Sequence, residues 1–244
     1  MSTSERDKLF AKPLENITDF VFDTMVADVF QDMVERSIPG YQTIINHTGE
    51  LADRFVQMNT NCYDLGCSLG ASTLAIRERI EDRQATIYAV DNSQAMLGKF
   101  ASVLTSQVSS TIIRLVKADI CDIEINNASL VVMNFTLQFV SLEQRAAVID
   151  KIYQGLNPGG CLVISEKLHF EPPSLNELLC QLHHQFKREQ GYSNLEISQK
   201  RDSIENVLIP ETLEDHIDRL KSCGFDSASP WFQCYNFGSL VAIK

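Results

Sequence analysis

Residues 63–72, "YDLGCSLGAS", follow an apolar stretch and precede a helix-like run, the usual place of a glycine-rich nucleotide turn. The pattern G-x-G-x-x-G is altered here, because Cys67 and Ser68 stand between Gly66 and Gly70. A pyrophosphate needs the missing middle glycine for close approach of the backbone, whereas S-adenosylmethionine has no phosphate. We expect Gly66, Cys67 and Ser68 to contact a nucleoside, and Gly70 to allow close helix packing. Such glycines often serve packing alone, so the turn is not sufficient evidence by itself.

The sequence around this turn alternates between strand-like and helix-like segments, which predicts a parallel sheet covered on both faces. The strand-like runs are "NCYDLG", "TIYAVDN", "TIIRLVKAD", "ASLVVMNF" and "CLVISEK". The helix-like runs between them are "ASTLAIRERIEDR", "SQAMLGKFASVLTS" and "EQRAAVIDKIYQGL". The C-terminal residues predict a helix and a hairpin of two strands. The expected fold class is therefore α/β: a Rossmann-like class I methyltransferase fold with a mostly parallel seven-stranded sheet and a C-terminal antiparallel hairpin.

The 244 residues contain no repeat and no flexible linker, so we expect a single S-adenosylmethionine-binding domain over residues 1–244. Two additions to the sheet are predicted. Residues 17–57 are expected to form two helices separated by "SIPGY", with an apolar stripe at helical spacing. The stripe comprises Met25, Val26, Val29, Phe30 and Met33. Residues 174–206 are expected to form a polar helical insertion that acts as a lid or as a dimer surface.

Composition disfavours several classes of protein. The net charge is −11, with 21 basic against 32 acidic residues, which disfavours direct binding of nucleic acid. Seven cysteines without a C-x-x-C pair argue against a disulfide framework and against a zinc site, and no metal is expected. The sequence shows no signal peptide and no apolar stretch long enough to span a membrane. A cytoplasmic protein is therefore expected.

Polar residues follow three further strands at the same edge of the predicted sheet. Asp91 can accept hydrogen bonds from both ribose hydroxyls, and Asp119 can accept one from the adenine amino group. Asn134 ends the fourth strand, where we expect the reactive end of the ligand. The neighbouring Asn92 and Ile120 are included in the predicted nucleoside site. Alternatively, Asp91 caps a helix and Asn134 forms a turn, but successive strand-end residues together favour S-adenosylmethionine over NAD.

Longer segments carry a family resemblance. Seven segments closely resemble those of the bacterial carboxy-S-adenosyl-L-methionine synthases, the CmoA family. They are "DLGCSLGASTL", "VDNSQAM", "NFTLQFV", "KIYQGLNPGG", "HHQFKREQGYSNLEISQKR", "ENV" and "WFQCYNFGSLVA". The likeness runs from residue 7 to the C-terminus, with Gln31 where the family pattern has proline. It implies conversion of S-adenosylmethionine and prephenate into carboxy-S-adenosylmethionine and phenylpyruvate. It also implies a homodimer, and a second enzyme that uses the product to carboxymethylate 5-hydroxyuridine at the tRNA wobble position.

The resemblance also implies roles for individual residues. Arg201, in "SQKR", is the predicted catalytic residue that binds the new carboxylate, because a guanidinium can meet a carboxylate with two parallel bonds. Tyr41 is predicted to contact the cofactor from the N-terminal helices. From the residues alone, an ordinary solvated helix arginine is the favoured interpretation of Arg201, and the resemblance reverses that preference. Further candidates for neutralising prephenate, or for purely structural roles, are Lys187, Arg188, Lys200, His183 and His184.

Two other functions stay open at this point. One is a conventional methyltransferase acting on a small carboxylate-bearing substrate, with Arg201 binding that carboxylate. "NFTL" lacks the N-P-P-Y pattern of amide and base N-methylases, which disfavours only those enzymes. The other is a non-catalytic protein that keeps S-adenosylmethionine as a ligand and acts through partners.

Overall fold

The computed structural model describes residues 5–106 and 109–244, and its strands form one seven-stranded sheet in the order β3-β2-β1-β4-β5-β7-β6. The strands are β1 (Asn61–Leu65), β2 (Thr86–Asp91), β3 (Ile112–Lys117), β4 (Ala128–Asn134), β5 (Leu156–Lys167), β6 (Ser227–Cys234) and β7 (Phe237–Ile243). The first five strands pair in parallel, and β7 is antiparallel to both β5 and β6. The predicted α/β fold class, with its C-terminal hairpin, is confirmed.

Eight α-helices occur in the described part of the chain. They are α1 (Thr24–Ser37), α2 (Tyr41–Phe55), α3 (Ala71–Arg77), α4 (Gln94–Thr105), α5 (Leu142–Gly155), α6 (Pro173–Glu189), α7 (Asn194–Ile204) and α8 (Leu213–Ser222). None of these described helices is long and apolar enough to cross a membrane. Helices α1 and α2 precede the sheet, while α6 and α7 lie between β5 and α8 in sequence.

The central strand β4 shows why the sheet is covered on both faces. Leu130 and Val132 pack in a cluster with residues of α2 and α3, such as Ala52 and Ile76. The alternate residues of β4 pack on the opposite face with residues of α5 and α8. A strand with both faces buried reads as a continuous apolar run, as "SLVVM" does here.

The N-terminal helical region differs from the prediction. Its first helix begins at Thr24 rather than near residue 17, because the Asp23 carboxylate caps it by accepting a bond from the Val26 amide. Met25 was expected on the buried stripe, yet it is 64% exposed. The stripe follows the spacing of Val26, Val29 and Met33, which are buried, and Met25 lies at its outer margin.

Two element boundaries also differ. The helix predicted over 71–83 ends as α3 at Arg77, and a 3-10 turn follows at Glu81–Arg83. Strand β5 was expected to begin at Cys161, but it begins at Leu156 and includes the turn-like residues "NPGG". A register irregularity against β4 lies between Ala128 and Leu130, where the extra residues are accommodated.

We expect Gly70→Ala to destabilise the fold by about 1–3 kcal/mol. Gly70 has φ +83°, and a Cβ placed there would lie 2.1 Å from the ring of Phe100. Urea denaturation measures the loss. Gly98→Ala is the matched control, because Gly98 lies in α4 and nothing is within 4 Å of a Cβ added there. An equal stability for both variants would contradict the packing role of Gly70.

Candidate active site

A cavity of about 720 Å³ opens at the carboxyl ends of the parallel strands. It lies where the strand order reverses between β1 and β4, the position at which open α/β sheets bind ligands. The structure brings every predicted cofactor residue to this one cavity. Its lining includes Tyr41, Gly66, Cys67, Ser68, Asp91, Asn92, Asp119, Ile120, Asn134 and Arg201.

The glycine-rich turn is fixed to the neighbouring strand by its own backbone. The amides of Gly66 and Cys67 donate to the Val90 carbonyl at 2.8 and 2.9 Å. Gly66 was expected to be glycine for approach to a ligand, but a Cβ there would lie 2.2 Å from Thr136 Oγ1, so packing also requires it. Ser68 has φ +47°, an uncommon left-handed conformation that turns the chain over the cavity.

Asp91 connects two loops at the cavity. Its Oδ2 accepts a bond from the Ser68 amide at 2.9 Å, and its Oδ1 accepts one from the Ser93 amide at 2.8 Å. The cap of α4 is Ser93, whose hydroxyl accepts the Met96 amide, so Asp91 is not the capping residue. Burial raises the pKa of Asp91, and the backbone bonds oppose that shift. A carboxylate has about four acceptor positions, so Asp91 retains capacity for a ligand hydroxyl beside these backbone bonds.

We expect Asp91→Asn to weaken binding of S-adenosylmethionine by roughly 10-fold to 100-fold, because a charged acceptor for the ribose hydroxyls is lost. Isothermal titration calorimetry measures the change. Asp122→Asn is the control, since Asp122 is exposed and lies outside the cavity. Unchanged affinity in Asp91→Asn would contradict the predicted ribose contact.

Asn134 is held rigidly where β4 ends. Its Nδ2 donates to Thr48 Oγ1 at 3.2 Å and to Ser72 Oγ at 2.9 Å, while its Oδ1 accepts from Ser165 Oγ at 2.6 Å. These bonds use the amide group for structure, although the residue lines the cavity. The next residue, Phe135, has φ +61°, and such backbone outliers cluster at functional sites.

One end of the cavity is lined by basic side chains. Lys187 and Lys200 are buried, and His183, His184 and Lys167 lie beside them. Burial lowers the pKa of His183 to about 3, so the ring is neutral, and its Nε2 donates to the Ser37 carbonyl at 2.8 Å. The acidic protein therefore has a local basic surface inside its cavity.

The two arginine candidates differ in position. Arg201 lies at the rim of the cavity, with its side chain 56% exposed and paired to Asp202 at 2.9 Å. Arg188 is exposed and does not line the cavity. Lys167 was missed by the sequence reasoning, although it ends strand β5 and the strand-end rule that selected Asn134 applies to it equally.

The thiol of Cys67 is not an activated nucleophile. Burial, followed by the nearby Asp64 and Asp91 carboxylates, raises its pKa well above the ordinary value. This agrees with the interpretation of Cys67 as a small residue of the turn. Among the described residues, no group of three or more His, Cys, Asp or Glu side chains is placed to hold a metal ion.

Comparisons with known proteins fit this geometry. A family model described as "Methyltransferase domain" matches residues 63–160. The carboxy-S-adenosyl-L-methionine synthase of Shewanella putrefaciens strain CN-32 is 57% identical over 244 residues, covering 100% of both chains. The synthase of the same name from Salmonella paratyphi C is 54% identical over 241 residues, covering 99% of this chain and 98% of the other.

A solved structure supports the fold. Human N-acetylserotonin methyltransferase in complex with SAM superimposes with a TM-score of 0.61 at 16% identity, covering 99% of this chain. The present chain spans only 63% of that enzyme, and the likeness shows the fold alone. Full-length identity above half of all positions is a stronger relation. The chain belongs to the carboxy-S-adenosyl-L-methionine synthase family.

Proposed function

We propose that this protein converts S-adenosylmethionine and prephenate into carboxy-S-adenosylmethionine and phenylpyruvate. The observation that carries the proposal is the full-length relation to proteins named carboxy-S-adenosyl-L-methionine synthase. The cavity supports the proposal, because the residues predicted to bind the nucleoside and the basic side chains line the same cavity. A methyltransferase acting on a neutral substrate has no need for that basic surface.

The chemistry balances without a metal. Prephenate loses CO₂ and its ring hydroxide, and aromatisation to phenylpyruvate drives this step. The hydroxide removes a proton from the methyl group that the sulfonium activates, giving water and an ylide. The ylide carbon then attacks CO₂, so a carbon–carbon bond forms and the new carboxylate remains on the former methyl carbon.

The protein's part in this reaction is placement. Both substrates must be held together so that the ylide meets CO₂ before CO₂ diffuses away. The cavity must also exclude bulk water, which would protonate the ylide. Arg201 is placed at the rim, where its guanidinium can bind the new carboxylate once it leaves Asp202.

Assembly and cellular context belong to the same proposal. We propose that the chain is a single domain, that it forms a homodimer in the cytoplasm, and that it does not bind nucleic acid itself. Its product would be used by a downstream tRNA carboxymethyltransferase. Gel filtration with light scattering tests the dimer, and a monomer alone would contradict it.

Mass spectrometry of the small molecule released on denaturing the purified protein tests the function. We expect a species heavier than S-adenosylmethionine by one CO₂. Recovery of S-adenosylmethionine or S-adenosylhomocysteine leaves the conventional methyltransferase open, and a reaction with added prephenate then decides. Absence of the carboxylated product in that reaction would refute the proposal.

A further inference from the structure

Three lysines converge on one end of the cavity. Lys187 is 6% exposed, Lys200 is 9% exposed, and Lys167 is half-buried where β5 ends. All three line the cavity. Within the described residues, none of the three ammonium groups forms an ion pair with a carboxylate. Buried cations without acidic partners are costly, and an anionic ligand bound beside them would offset that cost.

The pKa values of the three lysines are consistent with a cluster of buried cations. Burial, then the charges of Lys200 and Lys167, lowers the pKa of Lys187 to about 7. Burial lowers the pKa of Lys200 to about 8; the Asp7 carboxylate opposes this shift, and Arg36 adds to it more weakly. Burial also lowers the pKa of Lys167. Burial and mutual repulsion therefore disfavour the protonated forms of these lysines, and an anion bound beside them would raise all three pKa values.

The two nearby acidic side chains, Asp7 and Glu196, accept hydrogen bonds from other groups. Asp7 and Glu196 act on Lys187 more weakly than burial and the neighbouring cations do. Asp7 Oδ2 accepts the hydroxyl of Tyr192 at 2.6 Å. The Glu196 carboxylate accepts the Ser193 amide and hydroxyl in the capping box of α7. Neither carboxylate lies within ion-pair distance of a lysine ammonium group, so their charges offset those of the lysines only in part, and a bound anion would complete the compensation.

Aromatic rings form the wall beside the lysines. The ring centroids of Phe135 and Phe237 are 6.1 Å apart, and the centroid of His183 lies 4.9 Å from that of Phe237. Tyr41 lies 6.3 Å from Phe135 on the other side. All four side chains line the cavity. An anionic group next to an unsaturated six-membered ring fits a surface of this composition.

We propose that Lys167, Lys187 and Lys200 form the subsite for the oxopropanoate carboxylate of prephenate, the carboxylate that is retained in phenylpyruvate. This inference rests on the proposed function. The other carboxylate leaves as CO₂, and cations held on it would stabilise the ground state more than the transition state and slow its loss. The cluster therefore serves best on the group that keeps its charge, with Phe135 and Phe237 against the ring.

The test uses Lys187→Met and Lys200→Met in the full chain. Methionine keeps an unbranched side chain of similar size, and removing a desolvated charge should not unfold the protein. We expect the KM for prephenate and the Kd for phenylpyruvate to rise roughly 30-fold or more. The Kd for S-adenosylmethionine should stay within about twofold, which also reports that the fold is intact. Lys221→Met is the control, because Lys221 is exposed and outside the cavity.

The pH dependence gives a second readout. Since the anion binds the protonated lysines, phenylpyruvate affinity of the wild type should fall as pH rises between about pH 7 and pH 9. Lys187→Met should flatten the part of this profile near pH 7 and leave a fall near pH 8 that belongs to Lys200, whereas Lys221→Met should leave the whole profile unchanged. A loss of affinity from general damage to the structure would not flatten the profile.

Separate outcomes overturn separate claims. Unchanged phenylpyruvate binding in both lysine variants overturns the subsite, even if the wild type turns over prephenate. An equal loss of S-adenosylmethionine affinity also overturns it, because the lysines would then bind the methionine carboxylate. If the wild type binds phenylpyruvate through these lysines but makes no carboxylated product, the proposed function fails and the subsite stands.

Discussion

Arg201→Ala should lower formation of carboxy-S-adenosylmethionine by roughly 100-fold or more, while binding of S-adenosylmethionine stays within about twofold. The reason is that a guanidinium gives the new carboxylate two parallel charge-assisted bonds, which alanine cannot replace. The side chain is 56% exposed and its bond to Asp202 is a surface ion pair, so the fold should be unaffected. Quantitative mass spectrometry of the products measures the effect.

Two further variants make this result specific. Arg201→Lys keeps the charge but not the paired geometry, so we expect an intermediate loss. Arg54→Ala removes an exposed arginine from the end of α2, outside the cavity, and should leave product formation unchanged. An undiminished product yield in Arg201→Ala would reject Arg201 as the carboxylate-binding residue.

Arg145→Met should lower the free energy of unfolding by about 3–5 kcal/mol. Arg145 is completely buried, and its guanidinium forms an ion pair with Glu211. It also donates to the carbonyls of Val140 at 3.0 Å and Ile209 at 2.8 Å. Methionine leaves the buried Val140 carbonyl without this donor and removes one of the two arginine partners of Glu211. Urea denaturation of the wild type and the variant measures the difference.

Arg145→Met should also disturb the active site, because the Arg145 guanidinium donates to the carbonyl of Gln138 at 3.2 Å. Gln138 lines the cavity, and its side chain accepts the amide of Lys167 at 3.0 Å. Arg114→Met is the matched control, since Arg114 is exposed on β3 and should change stability by less than about 0.5 kcal/mol. Equal stabilities for the two variants would contradict the structural role of the buried network.

The residues at the strand ends could be predicted from local sequence. Asp91, Asp119 and Asn134 each follow a run of strand-like residues, and parallel strands end at one edge. Their meeting in one cavity therefore follows from the alternation of strands and helices. Lys167 obeys the same rule at the end of β5, although it was not among the predicted residues.

Which residues of the helical insertion are buried could not be predicted from the sequence. Lys187 and Arg188 are adjacent basic residues on α6, yet the first is buried in the cavity and the second is exposed. The periodicity of a polar helix does not say which face meets another element. That choice depends on contacts between residues far apart in the chain.

Local spacing and the rules of parallel sheets were enough to predict the order of strands and helices, the glycine-rich turn and the strand-end acids. The position of α7, in contrast, depends on contacts that form only in the folded chain. Gln199 donates to the carbonyls of Phe10 and Lys12 at 2.9 Å and accepts the amide of Leu14 at 2.7 Å. These bonds hold the N-terminal segment against the helix that carries Lys200 and Arg201. Contacts across about 185 residues have no signature in local sequence, so the sequence could name Lys187 and Lys200 as candidates but could not show that they are buried together at one end of the cavity.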